Sequence, residues 1–210
     1  MGNRCVIGVD FDNTLVSYDE PIYRMALARG LIAPETTQSK RVVRDTLRRL
    51  PQGEQMWQEI QRVVYGAHIH HARVIEGVQA FFAHCRAHHV PVFIISHKTE
   101  FPNGDPNGVN LREAAKAWMA CHQFFSSTGL GLSPSDVYFE SSRQEKIARI
   151  RSLGCTHFID DLEETFLEAS FPHEVERILF AAHGPSMSPP TVTTVTTWKE
   201  ITDYVFGPGR

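Results

Sequence analysis

No apolar run in this chain approaches the roughly 18 residues that a bilayer-spanning helix needs, so the sequence excludes a helical membrane anchor within it. No Cys-x-x-Cys pair occurs either, since Cys5, Cys85, Cys121 and Cys155 lie far apart. That spacing argues against a zinc site or a disulfide framework, and the four read as small buried apolar residues in a reducing compartment. The chain starts Met1-Gly2-Asn3-Arg4 and passes directly into a strand-like run, without the layout of a secretory leader. Val6 stands where a myristoylation site wants Ser or Thr. A cytoplasmic protein is expected. Charge excess is missing too: a formal net charge of -3 gives no overall attraction to nucleic acid or to a membrane surface. No internal repeat or low-complexity array is evident.

What the chain has is an ordinary globular composition, with 42% hydrophobic and 21% charged residues in a length of 210. That length can bury one sizeable core, with room for an insert. Short apolar runs read as strands at 4–10, 90–95, 136–140, 156–160 and 177–182. Helical patterns fall between them at about 75–89, 110–122, 142–153 and 162–169, and a last helix is expected at 198–206, stopped by Gly207-Pro208. Asn110-x-x-Glu113 and Ser142-x-x-Glu145 fit the capping box that opens a helix. Strands alternating with helices predict an α/β fold, a doubly wound parallel sheet of the Rossmann-like kind.

The segment 17–74 breaks the alternation. It shows no convincing strand and reads as helices near 20–30, 36–50 and 53–67, divided by Ala33-Pro34 and Pro51-Gln52-Gly53. A βα connection takes only a few residues, so an inserted small helical subdomain is expected there, with 1–16 and 75–210 forming the core. Its middle helix is basic, carrying Lys40, Arg41, Arg44, Arg48 and Arg49. A solvated face is the ordinary reading of such a run. Its place beside the carboxylates described next leaves open an arginine contact to an anionic substrate. The polar loop 98–108 follows the second strand, and 184–197 reads as surface loop with a weak edge strand.

The most informative stretch is Asp10-Phe11-Asp12-Asn13-Thr14, at the end of the first apolar run. Two unit charges about 4 Å apart at an effective dielectric of about 20 repel by about 4 kcal/mol. A bound cation, a shared proton or solvent exposure would each offset that. Ser96 ends the second strand, Lys146 opens a later helix, and Asp160-Asp161 end the fourth strand. In a parallel sheet the carboxyl ends of adjacent strands meet in one crevice. Clustered carboxylates suit a magnesium ion, which takes oxygen ligands. A hydroxyl and an ammonium suit the oxygens of a phosphoryl group. Singly, each feature has a plainer reading: an Asx turn after the first strand, an N-cap at Asp160-Asp161, a loop-capping Ser96. Only the joint reading explains why both acidic pairs end strands of one sheet.

The order Asp10-Phe11-Asp12-Asn13-Thr14-Leu15, Ile94-Ile95-Ser96, Lys146 and Phe158-Ile159-Asp160-Asp161 resembles the four motifs of the haloacid dehalogenase-like (HAD) superfamily, in its phosphatase branch. The resemblance spans the core, and the 17–74 insert lies where that superfamily places its helical cap of the first type. It implies an Asp10 nucleophile forming an aspartyl-phosphate, and Asp12 as general acid and then base. It implies Mg2+ held by Asp10, the Asp12 backbone carbonyl and Asp160, with Asp161 direct or through water, and Ser96 and Lys146 on the phosphoryl oxygens. The dehalogenases of the superfamily lack a carboxylate at the Asp12 position, so Asp12 favours a phosphate monoester of a small metabolite.

Several positions stay open on the residues. Lys98 rivals Lys146 as the phosphate-site lysine, and Glu164 could stand in a metal's outer shell or be a solvated first-turn glutamate. His97 is a substrate contact or a structural hydrogen bond, and His84 and His88 have metal-like i, i+4 spacing but no supporting ligands. His68, His70 and His71 read as exposed helix-end residues. A phosphomutase or nucleotidase, and a non-catalytic phosphometabolite-binding regulatory protein, are the competing readings.

Overall fold

The computed structural model describes residues 5–102, 108–182, 184 and 191–207. Six strands form one sheet: β1 (Ile7–Val9), β4 (Val92–His97), β5 (Val137–Glu140), β6 (His157–Asp160), β7 (Glu176–Phe180) and β8 (Thr193–Val195). Their order is β5-β4-β1-β6-β7-β8, and every pairing is parallel. The chain leaves central β1, builds two strands on one side, then crosses to build three on the other. The crevice at that switch point lies beyond the carboxyl ends of β1 and its neighbours, where open α/β sheets bind ligands.

The strands alternate their side chains between two apolar layers, as a period of two requires. Ile7, Val9, Ile94, Ile159 and Ile178 join one buried cluster with α4 (Val78–Ala87), α5 (Leu111–Cys121) and α8 (Trp198–Phe206). Phe158, Leu179 and Ile95 join the other, with α6 (Arg143–Ser152) and α7 (Glu163–Leu167). Helices on both faces make the sheet doubly wound, as the alternation of elements predicts.

Helices α1 (Asp19–Ala28), α2 (Lys40–Leu47) and α3 (Gly53–Tyr65) occupy the inserted segment and pack on one another. The segment is not free of strand, however. A two-residue ribbon, β2 (Val16–Ser17) against β3 (Arg73–Val74), closes its two ends antiparallel. Two residues are too short for alternation to be legible in the sequence. The middle helix is also shorter than the expected 36–50, because Ser39 is extended (φ -142°, ψ 131°) and the turn begins only at Lys40.

Both predicted start signals operate. Asn110 Oδ1 accepts from the amides of Arg112 and Glu113, and Ser142 Oγ accepts from the Glu145 amide at 3.2 Å. The reciprocal half of the second box is displaced by one residue, since Glu145 accepts from the Ser141 amide. Cys85 and Cys155 are buried, and burial pushes both thiols up to about 12; Cys121 is exposed, against the expectation of a buried residue. Of the loop 98–108, residues 103–107 lie outside the described residues, as do Arg4, Pro208 and most of 183–190. No helix among the described residues is long and apolar enough to cross a membrane.

Gly8, in the middle of β1, lets Phe158 of β6 lie directly over the backbone: a Cβ there would stand 2.6 Å from Phe158 Cδ2 and 3.0 Å from Cys155 Sγ. Gly8→Ala is expected to cost about 1–3 kcal/mol through overpacking. A fall in the urea midpoint with unchanged slope is the measurement that checks it.

Candidate active site

Register brings the acids together. Val9 is paired with Ile94 on one side and with Ile159 on the other, so Asp10 and Asp160, each the next residue, emerge side by side. The Asp10 amide continues the ladder by donating to the Ile159 carbonyl at 2.8 Å. Beyond it the chain turns sharply. The amides of Leu15 and Val16 both donate to the Phe11 carbonyl, and Asn13 takes a left-handed conformation (φ 61°) that asparagine tolerates. The Phe11 ring packs edge-on against Trp118, Phe124 and Phe139, at 5.8, 6.5 and 6.2 Å between centroids. That anchor sends the two flanking aspartates the other way. Trp198 Nε1 donates to the Thr14 carbonyl at 3.0 Å, pinning the turn to α8.

Lys146 lies in the first turn of α6, and its ammonium reaches both acids: 2.6 Å to Asp10 Oδ1 and 2.7 Å to Asp160 Oδ2. All three side chains are buried. Burial works against charge on Lys146, yet Asp10 and Asp160 outweigh it and raise the ammonium above its ordinary value. Asp10 is pushed up to about 7, by burial first; Lys146 pulls against the shift, while Asp160 and Asp12 add to it. Asp161 is likewise raised well above a usual carboxylate, again by burial first.

Asp10, Asp160 and Asp161 each offer a carboxylate oxygen, and these atoms lie within 4.8 Å of one another. They form the only such group of three among the described residues. Ionised, they carry three negative charges, against the positive charge of Lys146 on Asp10 and Asp160 and that of Lys40 acting on Asp161, an excess of one. A hard divalent cation fits that donor set in both charge and ligand chemistry. The carboxylate of Asp12 stands outside it. Asp12 Oδ2 lies 2.7 Å from Lys98 Nζ, and Asp12 Oδ1 accepts from the Tyr18 hydroxyl at 2.7 Å.

The two rival lysines therefore both belong to the site, one on each aspartate. Ser96 is buried at the carboxyl end of β4, two residues past the partner of Val9. His97 faces away: its ring is exposed, and Nε2 lies 3.1 Å from the Ser141 carbonyl. Partial desolvation of the ring lowers its basicity, against the pull of the Ser141 carbonyl. The geometry thus supplies the structural hydrogen bond. His84 and His88 stack on each other at 4.2 Å beside Phe206.

Three residues of the site escaped the sequence reading. Tyr18, a lone aromatic between Ser17 and Asp19, carried no signal. Tyr65 ends α3, and its ring lies 5.2 Å from Lys98 Nζ and 5.6 Å from Lys40 Nζ. Lys40 read as part of a solvated basic face, but it shares a helix face with buried Val43 and Leu47, and that spacing was a usable signal. Burial works against charge on Lys40, while Tyr65, Asp161 and Asp12 outweigh it and raise it to about 12. From Asp161 a cavity of about 580 Å³ opens between α2 and the ends of β7 and α7.

No protein-family model matches the sequence, and no curated protein matches it. Solved structures do match in shape. A HAD family hydrolase from Deinococcus radiodurans R1, with bound phosphate and sodium, is 15% identical with a TM-score of 0.56, covering 98% of this chain and 96% of that one. The fold is that of the haloacid dehalogenase-like hydrolases. The protein tyrosine kinase A (PtkA) of Mycobacterium tuberculosis shares it at 14% identity and a TM-score of 0.62, covering 98% of this chain and all of that one. So does a dehalogenase, at 9% identity and a TM-score of 0.54, with full coverage of both chains. Proteins named for hydrolysis, kinase action and dehalogenation thus share the HAD-like fold, so the chemistry has to be argued from the site.

Since the acidic group keeps an excess of negative charge, magnesium or manganese at about 100 times its dissociation constant should add about 2.7 kcal/mol of stability. The expected reading is a higher melting temperature for the native chain and a much smaller shift for Asp160→Asn. A melting temperature indifferent to both metals would count against the site.

Proposed function

We propose that the protein is a magnesium-dependent phosphatase that hydrolyses a phosphate monoester of a small metabolite. The observation that carries this reading is the separation of the two aspartates into unlike settings. Asp10 belongs to the buried acidic group with Lys146, whereas Asp12 stands outside it between Lys98 and Tyr18. Displacement of halide needs no proton donor, while departure of an alkoxide does. A carboxylate kept out of the metal-type group but two residues from the nucleophile supplies one.

In this reading an Asp10 oxygen attacks phosphorus and the bond from phosphorus to the ester oxygen breaks. Asp12 gives its proton to the departing alkoxide. Asp12 then takes a proton from water as that water attacks the aspartyl-phosphate, releasing inorganic phosphate and restoring Asp10. Asp10, Asp160 and Asp161 would hold Mg2+, which supplies charge stabilisation to the phosphoryl oxygens. Lys146 and Ser96 donate to those oxygens, and Lys146 keeps Asp10 oriented. Tyr18 sits where the chain enters the helical insert, so the acid is linked to the position of residues 17–74, which we read as a cap over the site. The four free cysteines fit a reducing, cytoplasmic setting.

Transfer to an acceptor other than water, as in a mutase, begins with the same step; likeness to the tyrosine kinase concerns the fold alone. Equimolar release of alcohol and inorganic phosphate separates hydrolysis from transfer. Asp10→Asn is expected to lower turnover of an aryl phosphate by at least about a thousandfold while keeping the native circular dichroism. Retained magnesium-dependent activity in that variant would sink the assignment, and the absence of hydrolysis by the native chain across a broad phosphate panel would revive the binding-protein reading. Asp12→Asn should slow an alkyl phosphate by about 10²–10⁴-fold. An aryl phosphate, whose phenolate leaves without help, should lose much less; equal losses would contradict the proton-donor role.

A further inference from the structure

The cavity beside the acidic group has a volume of about 580 Å³, well beyond the needs of a phosphoryl group and within the range of small-ligand pockets. Its lining carries charges of both signs: Arg41 and Arg44 of α2 stand with Asp19, Glu76, ahead of α4, and Glu163 and Glu164 of α7. Arg41, Glu76 and Glu164 are exposed and make no ion pair among the described residues. Arg44 gives its Nε to Asp45 at 2.9 Å. Lys40 and Asp161 lie at the inner end, where the cavity meets the acids.

Guanidinium groups only donate hydrogen bonds, and ionised carboxylates only accept them. A ligand carrying a second phosphate or carboxylate would satisfy the arginines and face the glutamates with like charge. An ammonium-bearing ligand would have the opposite fault, and an apolar ring would leave the charges of both signs without partners. Hydroxyl groups donate to carboxylates and accept from guanidiniums at once. Val74, Leu179 and Phe180 add apolar surface for a carbon skeleton. We propose that this cavity holds the organic part of the substrate and that this part is polyhydroxylated, making the substrate a sugar or sugar-alcohol phosphate.

The inference rests on the phosphatase reading, and the test separates the two. With the full chain and magnesium, kcat/KM is measured for hexose 6-phosphate, phenyl phosphate, 3-phosphoglycerate, phosphoethanolamine and adenosine 5′-monophosphate. The hexose ester is expected to exceed each of the others by at least about tenfold. Arg41→Gln and Glu164→Gln should each cut the ratio of hexose to phenyl phosphate by about tenfold, through KM. Preference for the phosphoglycerate, the amine or the nucleotide, or a ratio unchanged in both variants, overturns the proposal while leaving the phosphatase reading intact. If no ester is hydrolysed, calorimetric titration of the same ligands decides. Hexose phosphate binding at least about tenfold tighter than phenyl phosphate then upholds the cavity assignment and overturns catalysis, and equal binding overturns the cavity assignment too.

Discussion

A single buried ammonium holds the centre of this molecule together. Lys146 reaches from the first turn of α6 to Asp10 at the end of β1 and to Asp160 at the end of β6, at 2.6 and 2.7 Å. Three segments distant in sequence thereby share one charge group in the floor of the crevice. Taking such charges out of water costs several kcal/mol per ion, and the attraction inside repays that only when geometry and partners are good. Even so, Lys146, with Lys40 acting on Asp161, does not neutralise Asp10, Asp160 and Asp161 together, and burial pushes Asp10 up to about 7. The shortfall in positive charge is what makes the group suited to a cation rather than to packing alone.

Two aspartates separated by one residue share their chemistry on paper and differ in every respect that governs reactivity. Asp10 is enclosed among other carboxylates and faces Lys146. Asp12 is gripped by Lys98 on one oxygen and Tyr18 on the other. The Phe11 ring between them, locked against Trp118, Phe124 and Phe139, turns both aspartates to the opposite side, where different neighbours set them apart. Packing of an apolar side chain thus assigns the polar ones their surroundings.

The helical insert contributes side chains to the site. Lys40 from α2 faces Asp161 and Asp12, the Tyr65 ring of α3 lies beside Lys40 and Lys98, and Tyr18 stands where the insert begins. A site assembled from core and insert in this way couples the insert to the chemistry through specific side chains. The cavity that opens from Asp161 is bounded by both parts, so its width depends on how they pack.

Much of this was legible in the chain itself. Short apolar runs alternating with helical patterns determined a doubly wound parallel sheet, because strands buried on both faces leave that mark whatever their neighbours. Asp10, Asp12, Ser96, Asp160 and Asp161 stood out because strand ends in such a sheet converge, and Lys146 by its place in the order of motifs. The ribbon Val16–Ser17 with Arg73–Val74 did not, since two-residue strands have no periodicity to read. Which lysine serves which aspartate, the outward turn of His97 and the inward turn of Lys40 were decided only by tertiary structure. The reason is physical: backbone patterning is a local property written in neighbouring residues. The surroundings of a charged side chain are set by contacts across 136 positions of chain, as between Asp10 and Lys146.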